Sequence, residues 1–185
     1  MTLKYYFLHI PKTGGVSLYN SVLWKAFDID RIITNPEYTK FFEDVQRRCY
    51  LEEKSPGEIQ YKLPDFDLMA VHTGYGIHRQ FSEFEDSRYI TIIRNPRTHI
   101  VSHLTTSWHM GQIHRLLPSE ILNSNHLLFD NYQTRYLVED GFYVKKITKE
   151  QTKKAIQNLK DFWVGTTVIL NLFIIELSGK LYVST

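Results

Sequence analysis

Tyr5-Tyr6-Phe7-Leu8-His9-Ile10-Pro11-Lys12-Thr13-Gly14-Gly15-Val16-Ser17 is the stretch from which the fold is read. Tyr5 to Ile10 is a short, almost continuous apolar run, the pattern of a strand buried on both faces of a parallel sheet. Pro11 ends the run, and Gly14-Gly15 let the chain turn tightly. From Ser17 to Phe27 the apolar residues Leu18, Val22, Leu23 and Ala26 recur at helical spacing. The chain thus starts with a strand, a glycine turn and a helix.

Working outward, Asp67-Leu68-Met69-Ala70-Val71 predicts a second strand, followed by Gly74 and Gly76. Arg88 to Ile93 predicts a third, the most β-branched. Pro96 then occupies the first turn of a helix, with Ile100, Val101 and Leu104 on its inner face. Thr148-Lys149-Glu150-Gln151 fits a capping box that opens a helix through Leu159. Phe162-Trp163-Val164-Gly165 predicts a fourth strand. Asp28 to Asp65 is mixed and polar, with a weak helical pattern around Phe41 to Tyr50, and is expected to cover the sheet. Strands that alternate with helices imply an α/β sheet with crossover connections. In such sheets ligands bind beyond the carboxyl ends of the strands, where Pro11 to Ser17, His72 to His78 and Arg94 to Ser102 fall.

Composition agrees with a globular chain. Its 185 residues suit one domain, and 22 Lys and Arg against 20 Asp and Glu leave a net charge of +2. That balance creates no bulk field that would attract nucleic acid or an anionic membrane. Hydrophobic residues at 43% and charged residues at 23% argue against disorder. The single cysteine, Cys49, excludes an intrachain disulfide framework and a cysteine zinc cluster. Met1 to Ile10 carries only Lys4 as a cation and does not read as a secretory signal. The most apolar stretch, Val164 to Leu177, is shorter than the roughly 20 residues of a spanning helix and contains Asn171 and Glu176. No membrane segment is expected, and a cytoplasmic location is.

Two segments point to anions. Around Pro11 to Ser17, glycines aim backbone N–H groups at one point, and the following helix adds the positive end of its dipole. Lys12 contributes a charge, and Thr13 and Ser17 contribute hydroxyls. The spacing G-x-x-x-x-G-K-[ST] of a nucleoside triphosphatase loop is absent, because Lys12-Thr13 precede the glycines. In the second segment, Arg94 ends a strand and Ser102 lies two turns along the next helix. Arg94 either forks onto a phosphate that the Ser102 hydroxyl shares or pairs with a carboxylate. Of the histidines, His72 stands at a strand end, as a proton acceptor or a hydrogen-bonded structural residue. His9 reads as a core residue. His99 and His103 have metal-ligand spacing but no third ligand, so they read as helix-surface or cleft residues. Lys145, Lys146, Lys149, Lys153 and Lys154 read as a solvated helix face or as an attractant for an anionic glycan.

Taken in order, these segments carry a resemblance. Ile10-Pro11-Lys12-Thr13-Gly14-Gly15-Val16-Ser17 is similar to the 5′-phosphosulfate loop of sulfotransferases that use 3′-phosphoadenosine 5′-phosphosulfate (PAPS). The chain resembles the carbohydrate sulfotransferases related to the heparan sulfate 2-O and 6-O enzymes. Arg94-Asn95-Pro96 through Ser102 resembles their 3′-phosphate element. Val71-His72-Thr73-Gly74-Tyr75-Gly76-Ile77-His78 and Asp130-Asn131-Tyr132-Gln133-Thr134-Arg135-Tyr136-Leu137 are also family-like. The likeness spans roughly Leu3 to Gly165; beyond it this chain is unusually apolar, as if truncated or altered.

The resemblance implies one domain over 1–185, with three α/β/α layers around a central parallel sheet like that of P-loop nucleoside triphosphate hydrolases. It implies PAPS as sulfuryl donor, a carbohydrate hydroxyl as acceptor, and no metal. Lys12, Thr13, Gly14, Gly15, Val16 and Ser17 would hold the 5′-phosphosulfate, and Arg94 and Ser102 the 3′-phosphate. His72 would be the base, with His78 its rival in the same turn. His78, Asn131 and Arg135 would line the acceptor side. A P-loop-like phosphotransferase and a catalytically silent nucleotide-binding module are the alternatives.

Overall fold

The computed structural model describes residues 3–34, 36, 65–76, 87–111, 130–139 and 141–183. Its strands are β1 (Lys4–Leu8), β2 (Ile32–Thr34), β3 (Leu68–Val71), β4 (Ser87–Ile93) and β5 (Trp163–Thr166). They form one five-stranded sheet in the order β2-β3-β1-β4-β5, and every pairing is parallel. Helix α1 begins as Gly15–Leu18, passes through a π-helical stretch Tyr19–Leu23 and ends as Trp24–Ala26. The others are α2 (Pro96–His109), α3 (Tyr132–Tyr136), α4 (Lys149–Leu159) and α5 (Leu170–Val183).

The unbroken apolar run of β1 has a direct cause: all of its residues are buried, because helices cover both faces. The period-two alternation splits the core in two. Tyr6, Leu8, Met69, Val71 and Tyr89 face Tyr136, Leu137 and Ala155, from α3, its end and α4. Tyr5, Phe7, Leu68, Ile90 and Ile92 face Leu18, Val22 and Leu23 of α1 and Phe173, Leu177 and Leu181 of α5. The chain leaves β1 toward β2 and β3 on one side of the sheet, and leaves β4 toward β5 on the other. With right-handed crossovers this reversal puts the intervening helices on opposite faces, and a crevice opens between the carboxyl ends of β1 and β4.

The expected α/β sheet is therefore present, with its predicted strands displaced by one or two residues at their ends. One strand went unpredicted: β2 is three residues long, too short to show a period, and lies in the segment read only as a covering excursion. Phe41 to Tyr50 lies outside the described residues. The capping box of α4 forms as expected, the Gln151 N–H donating to Thr148 Oγ1 at 3.2 Å and the Thr148 N–H to Gln151 Oε1 at 2.9 Å. The apolar C-terminal run becomes α5, with Phe173, Leu177 and Leu181 four apart and packed on the sheet. Among the described residues no helix is long and apolar enough to cross a membrane.

At the amino edge, charge closes the sheet. Lys4 Nζ donates to Asp65 Oδ1 at 2.8 Å and to the Phe66 carbonyl. Arg31 forks onto Asp67 at 2.6 and 2.7 Å and reaches Asp65 at 2.9 Å. The opposite, carboxyl edge holds the segments singled out above.

Candidate functional site

The loop after β1 is held by its carbonyls. Five in succession, from Leu8 to Lys12, each accept a side-chain donor. Thr91 Oγ1 donates to Leu8 O at 2.9 Å, His72 Nδ1 to His9 O at 2.8 Å, and Thr13 Oγ1 to Ile10 O at 2.8 Å. His99 Nε2 donates to Pro11 O at 2.8 Å and Arg94 Nη1 to Lys12 O at 3.1 Å. A peptide is planar and trans, so its N–H points opposite its carbonyl. Drawing the carbonyls of Pro11 and Lys12 toward the protein body therefore turns the N–H groups of Lys12 and Thr13 away from it. Lys12 (φ 67°) and Gly14 (φ 92°) are both left-handed. Glycine adopts that conformation at little cost, whereas for Lys12 it stores on the order of 1–3 kcal/mol that the surrounding bonds must offset. Beyond the loop, the first N–H groups of α1 have no intrahelical partner. Val16, 63% exposed, and Ser17 lie at the surface there.

Thr13 departs from its expected role. Its hydroxyl is buried and donates to the Ile10 carbonyl, so it shapes the loop from within and cannot donate outward. Only its backbone N–H remains for an anion.

β3 brings His72 beside this loop, its ring 4.3 Å from that of His9. Because a carbonyl only accepts, the bond to His9 O fixes the proton on Nδ1, and the proton-accepting lone pair of the neutral ring is on Nε2. His72 is exposed. His9 is not a mid-strand core residue as expected. It follows β1, stacks on Phe7, and fills the space where Gly15 would carry a Cβ. Burial, then repulsion from His72, lowers its pKa to about 4.

Arg94 follows directly on β4 and reaches both the loop and Thr98 Oγ1 of α2, the latter at 3.2 Å. A groove of about 510 Å³ runs from there along α2, lined by Arg94, Arg97, Thr98, Val101, Ser102, Thr105 and Thr106. Arg94 and Ser102, paired on spacing alone, do line one cavity. Thr98, Thr105 and Thr106 went unnoticed, although with Ser102 they share one helical stripe that a reading of polar rather than apolar periodicity would have found.

α3 supports the site from behind. Gln133 Oε1 accepts the Arg94 N–H, and Gln133 Nε2 donates to Arg94 O, each at 2.8 Å. Gln133 lies inside the family-like stretch Asp130 to Leu137, but the sequence assigns it no role. Arg135, expected at the acceptor, is 0% exposed, and its donors are committed. Nε donates to Asp130 O and Nη1 to the carbonyls of Gly141 and Val144. Nη2 bonds the Asp130 carboxylate and Lys145 O. Arg135 is a framework residue, which corrects the sequence expectation. Asn131 is exposed and left-handed (φ 52°), and stands at the N-cap position of α3 without a side-chain capping bond. His78 lies outside the described residues.

The expectation for His99 also changes. Although its helix is largely exposed, His99 itself is 2% exposed. Burial foremost, and then the Arg94 charge, lowers its pKa against the raising effect of the Pro11 bond. The five lysines of the charge run are all exposed, as expected.

The chain matches no protein-family model and no curated protein.

Proposed function

We propose that this chain is a sulfotransferase that moves a sulfuryl group from 3′-phosphoadenosine 5′-phosphosulfate to a hydroxyl, most naturally of a carbohydrate, on a P-loop-like α/β/α fold. One observation carries the reading. Arg94 bonds the carbonyl of Lys12 in the glycine loop and lines the groove that holds Ser102, so the two segments whose sequences read as anion sites meet at the crevice between β1 and β4. A donor with anionic groups at its 5′ and 3′ positions needs such a pair.

The residues fit that donor. The outward N–H groups of Lys12 and Thr13, the N–H groups of Gly14 through Ser17 at the start of α1 and the Lys12 ammonium would hold the 5′-phosphosulfate. Arg94 and Ser102 would hold the 3′-phosphate. When bound, the donor supplies an electrophilic sulfur with a phosphate leaving group. His72 takes the acceptor's proton at Nε2 as the hydroxyl oxygen bonds to sulfur and the bond from sulfur to the phosphate oxygen breaks. Lys12 stabilises the charge gathering on the departing phosphate oxygen. His72 is oriented before any substrate arrives by its bond to His9 O, and the Lys12 backbone is held in the left-handed conformation.

The phosphotransferase alternative draws less support. Asp65 and Asp67, the acidic pair beside β3, sit at the opposite edge of the sheet and are committed to Lys4 and Arg31.

Calorimetry tests the reading with adenosine 3′,5′-bisphosphate, 5′-AMP and magnesium ATP. The bisphosphate is expected to bind one to two decades more tightly than AMP, the worth of a charge-assisted contact of ~1.5–3 kcal/mol. Arg94→Ala is expected to erase most of that difference. Equal affinities in the wild type refute the assignment. Turnover of magnesium ATP favours the phosphotransferase, and binding without transfer to any acceptor favours the silent module.

A further inference from the structure

His99 has no role in the proposed transfer, yet it supports the loop at its most strained residue. Its Nε2 bonds Pro11 O, and its ring stacks on Tyr132 at 5.8 Å and meets His103 edge-on at 5.4 Å. Tyr132 immediately precedes Gln133, which clamps the backbone of Arg94. Adjacent residues of α3 thus back the donors of two adjacent carbonyls, Pro11 through His99 and Lys12 through Arg94.

The Pro11 carbonyl belongs to the peptide plane that joins Pro11 to Lys12. Rotating that plane changes the ψ of Pro11 and the φ of Lys12 together. The bond from His99 and the left-handed conformation of Lys12 are therefore two views of one peptide orientation. Among the described residues His99 is the side chain that reaches Pro11 O, and its bond opposes a flip that would relax Lys12 and turn its N–H inward.

We propose that His99 is a positioning residue of the anion site, holding the Pro11–Lys12 peptide so that the loop presents its N–H groups outward. The proposal rests on that loop being the donor site assigned above.

Two variants of similar volume separate positioning from packing. His99→Gln keeps an N–H donor at similar reach, and His99→Met keeps none. Three readouts apply: calorimetry with adenosine 3′,5′-bisphosphate, amide hydrogen exchange over residues 12–17 without ligand, and urea unfolding. His99→Met is expected to weaken binding roughly tenfold and to speed exchange in the loop. His99→Gln is expected to stay within about twofold on both, while the two variants unfold alike. Equal weakening by Gln and Met overturns the proposal, as does a Met variant that binds like the wild type. If the wild type binds no nucleotide, the sulfotransferase reading fails by itself; loop exchange faster in Met than in Gln then still supports positioning, and equal exchange overturns it. Should His99→Met not fold, His99→Gln decides: wild-type binding and loop exchange support the proposal, and their loss overturns it.

Discussion

Replacing Arg135 by methionine should cost stability, not chemistry. The guanidinium is fully buried, and its five N–H groups meet four carbonyls and the Asp130 carboxylate. Methionine fills much of the volume and supplies no donor. Asp130, its side chain 22% exposed, keeps its bond from the Ile147 N–H at 2.8 Å but loses its counter-ion. Removing one partner of a buried pair costs ~3–5 kcal/mol, and each carbonyl that water cannot reach adds ~1–3 kcal/mol. Lys145 is exposed, so part of the carbonyl cost is recovered by hydration. A net loss of about 3–5 kcal/mol is a large share of the ~5–15 kcal/mol that holds a domain together. Urea unfolding of wild type, Arg135→Met, Asp130→Asn and the double variant measures it. The two single losses should exceed their proper share of the double, because each breaks the same pair. The bisphosphate affinity of folded Arg135→Met should match that of the wild type. An Arg135→Met protein that unfolds like the wild type but has lost transfer would refute the framework assignment and restore Arg135 to the acceptor side.

Three further outcomes are expected. His72→Ala should leave bisphosphate binding nearly intact while transfer falls about 10²–10⁴-fold, whereas Lys12→Ala should lower both; near-normal transfer by His72→Ala would pass the role of base to His78. Gly165→Ala should destabilise by ~1–3 kcal/mol, because a Cβ there would overlap the Phe173 ring, with Cγ and Cε1 at 2.7 Å, and Phe173→Leu should partly relieve it in urea unfolding. Acid should weaken the fold from about pH 6.5 downward, ahead of most carboxylate titration. His9 is held near pKa 4 in the folded state against about 6.5 unfolded, so the unfolded chain binds more protons between those values, and stability present above pH 6.5 is lost as pH falls toward 4. The loss is on the order of 2–3 kcal/mol, and His9→Gln should flatten urea midpoints across that window; an unchanged slope would show that His9 is not the titrating group.

The parts legible in the sequence are those in which the residue type itself is the signal. An apolar run buried on both faces, a glycine free to turn left-handed at Gly14, and Thr148 with Gln151 at capping distance all depend on side-chain identity at fixed local spacing. β2 escaped because three residues display no period, and the helical form of α5 because an apolar run signals burial without signalling the element that is buried. The support of the site escaped for a deeper reason. The acceptors that organise it are backbone carbonyls, from Leu8 to Lys12 and from Gly141 to Lys145, and every residue has one. A donor such as His99, Gln133 or Arg135 shows in the sequence, but its partner leaves no mark there. Arg135 therefore read as a cation for substrate when it is a clamp on its own chain, and Thr13 read as a hydroxyl for anions when it is spent on Ile10 O. The same logic directs mutagenesis. Residues that touch the donor tolerate few alternatives, because the donor fixes the chemistry, whereas a clamp tolerates any side chain that brings an N–H to the same carbonyl. Glutamine at His99 and lysine at Arg135 thus separate the two kinds of clamp: the first has one carbonyl to satisfy and should succeed, and the second has five acceptors for three N–H groups and should fail.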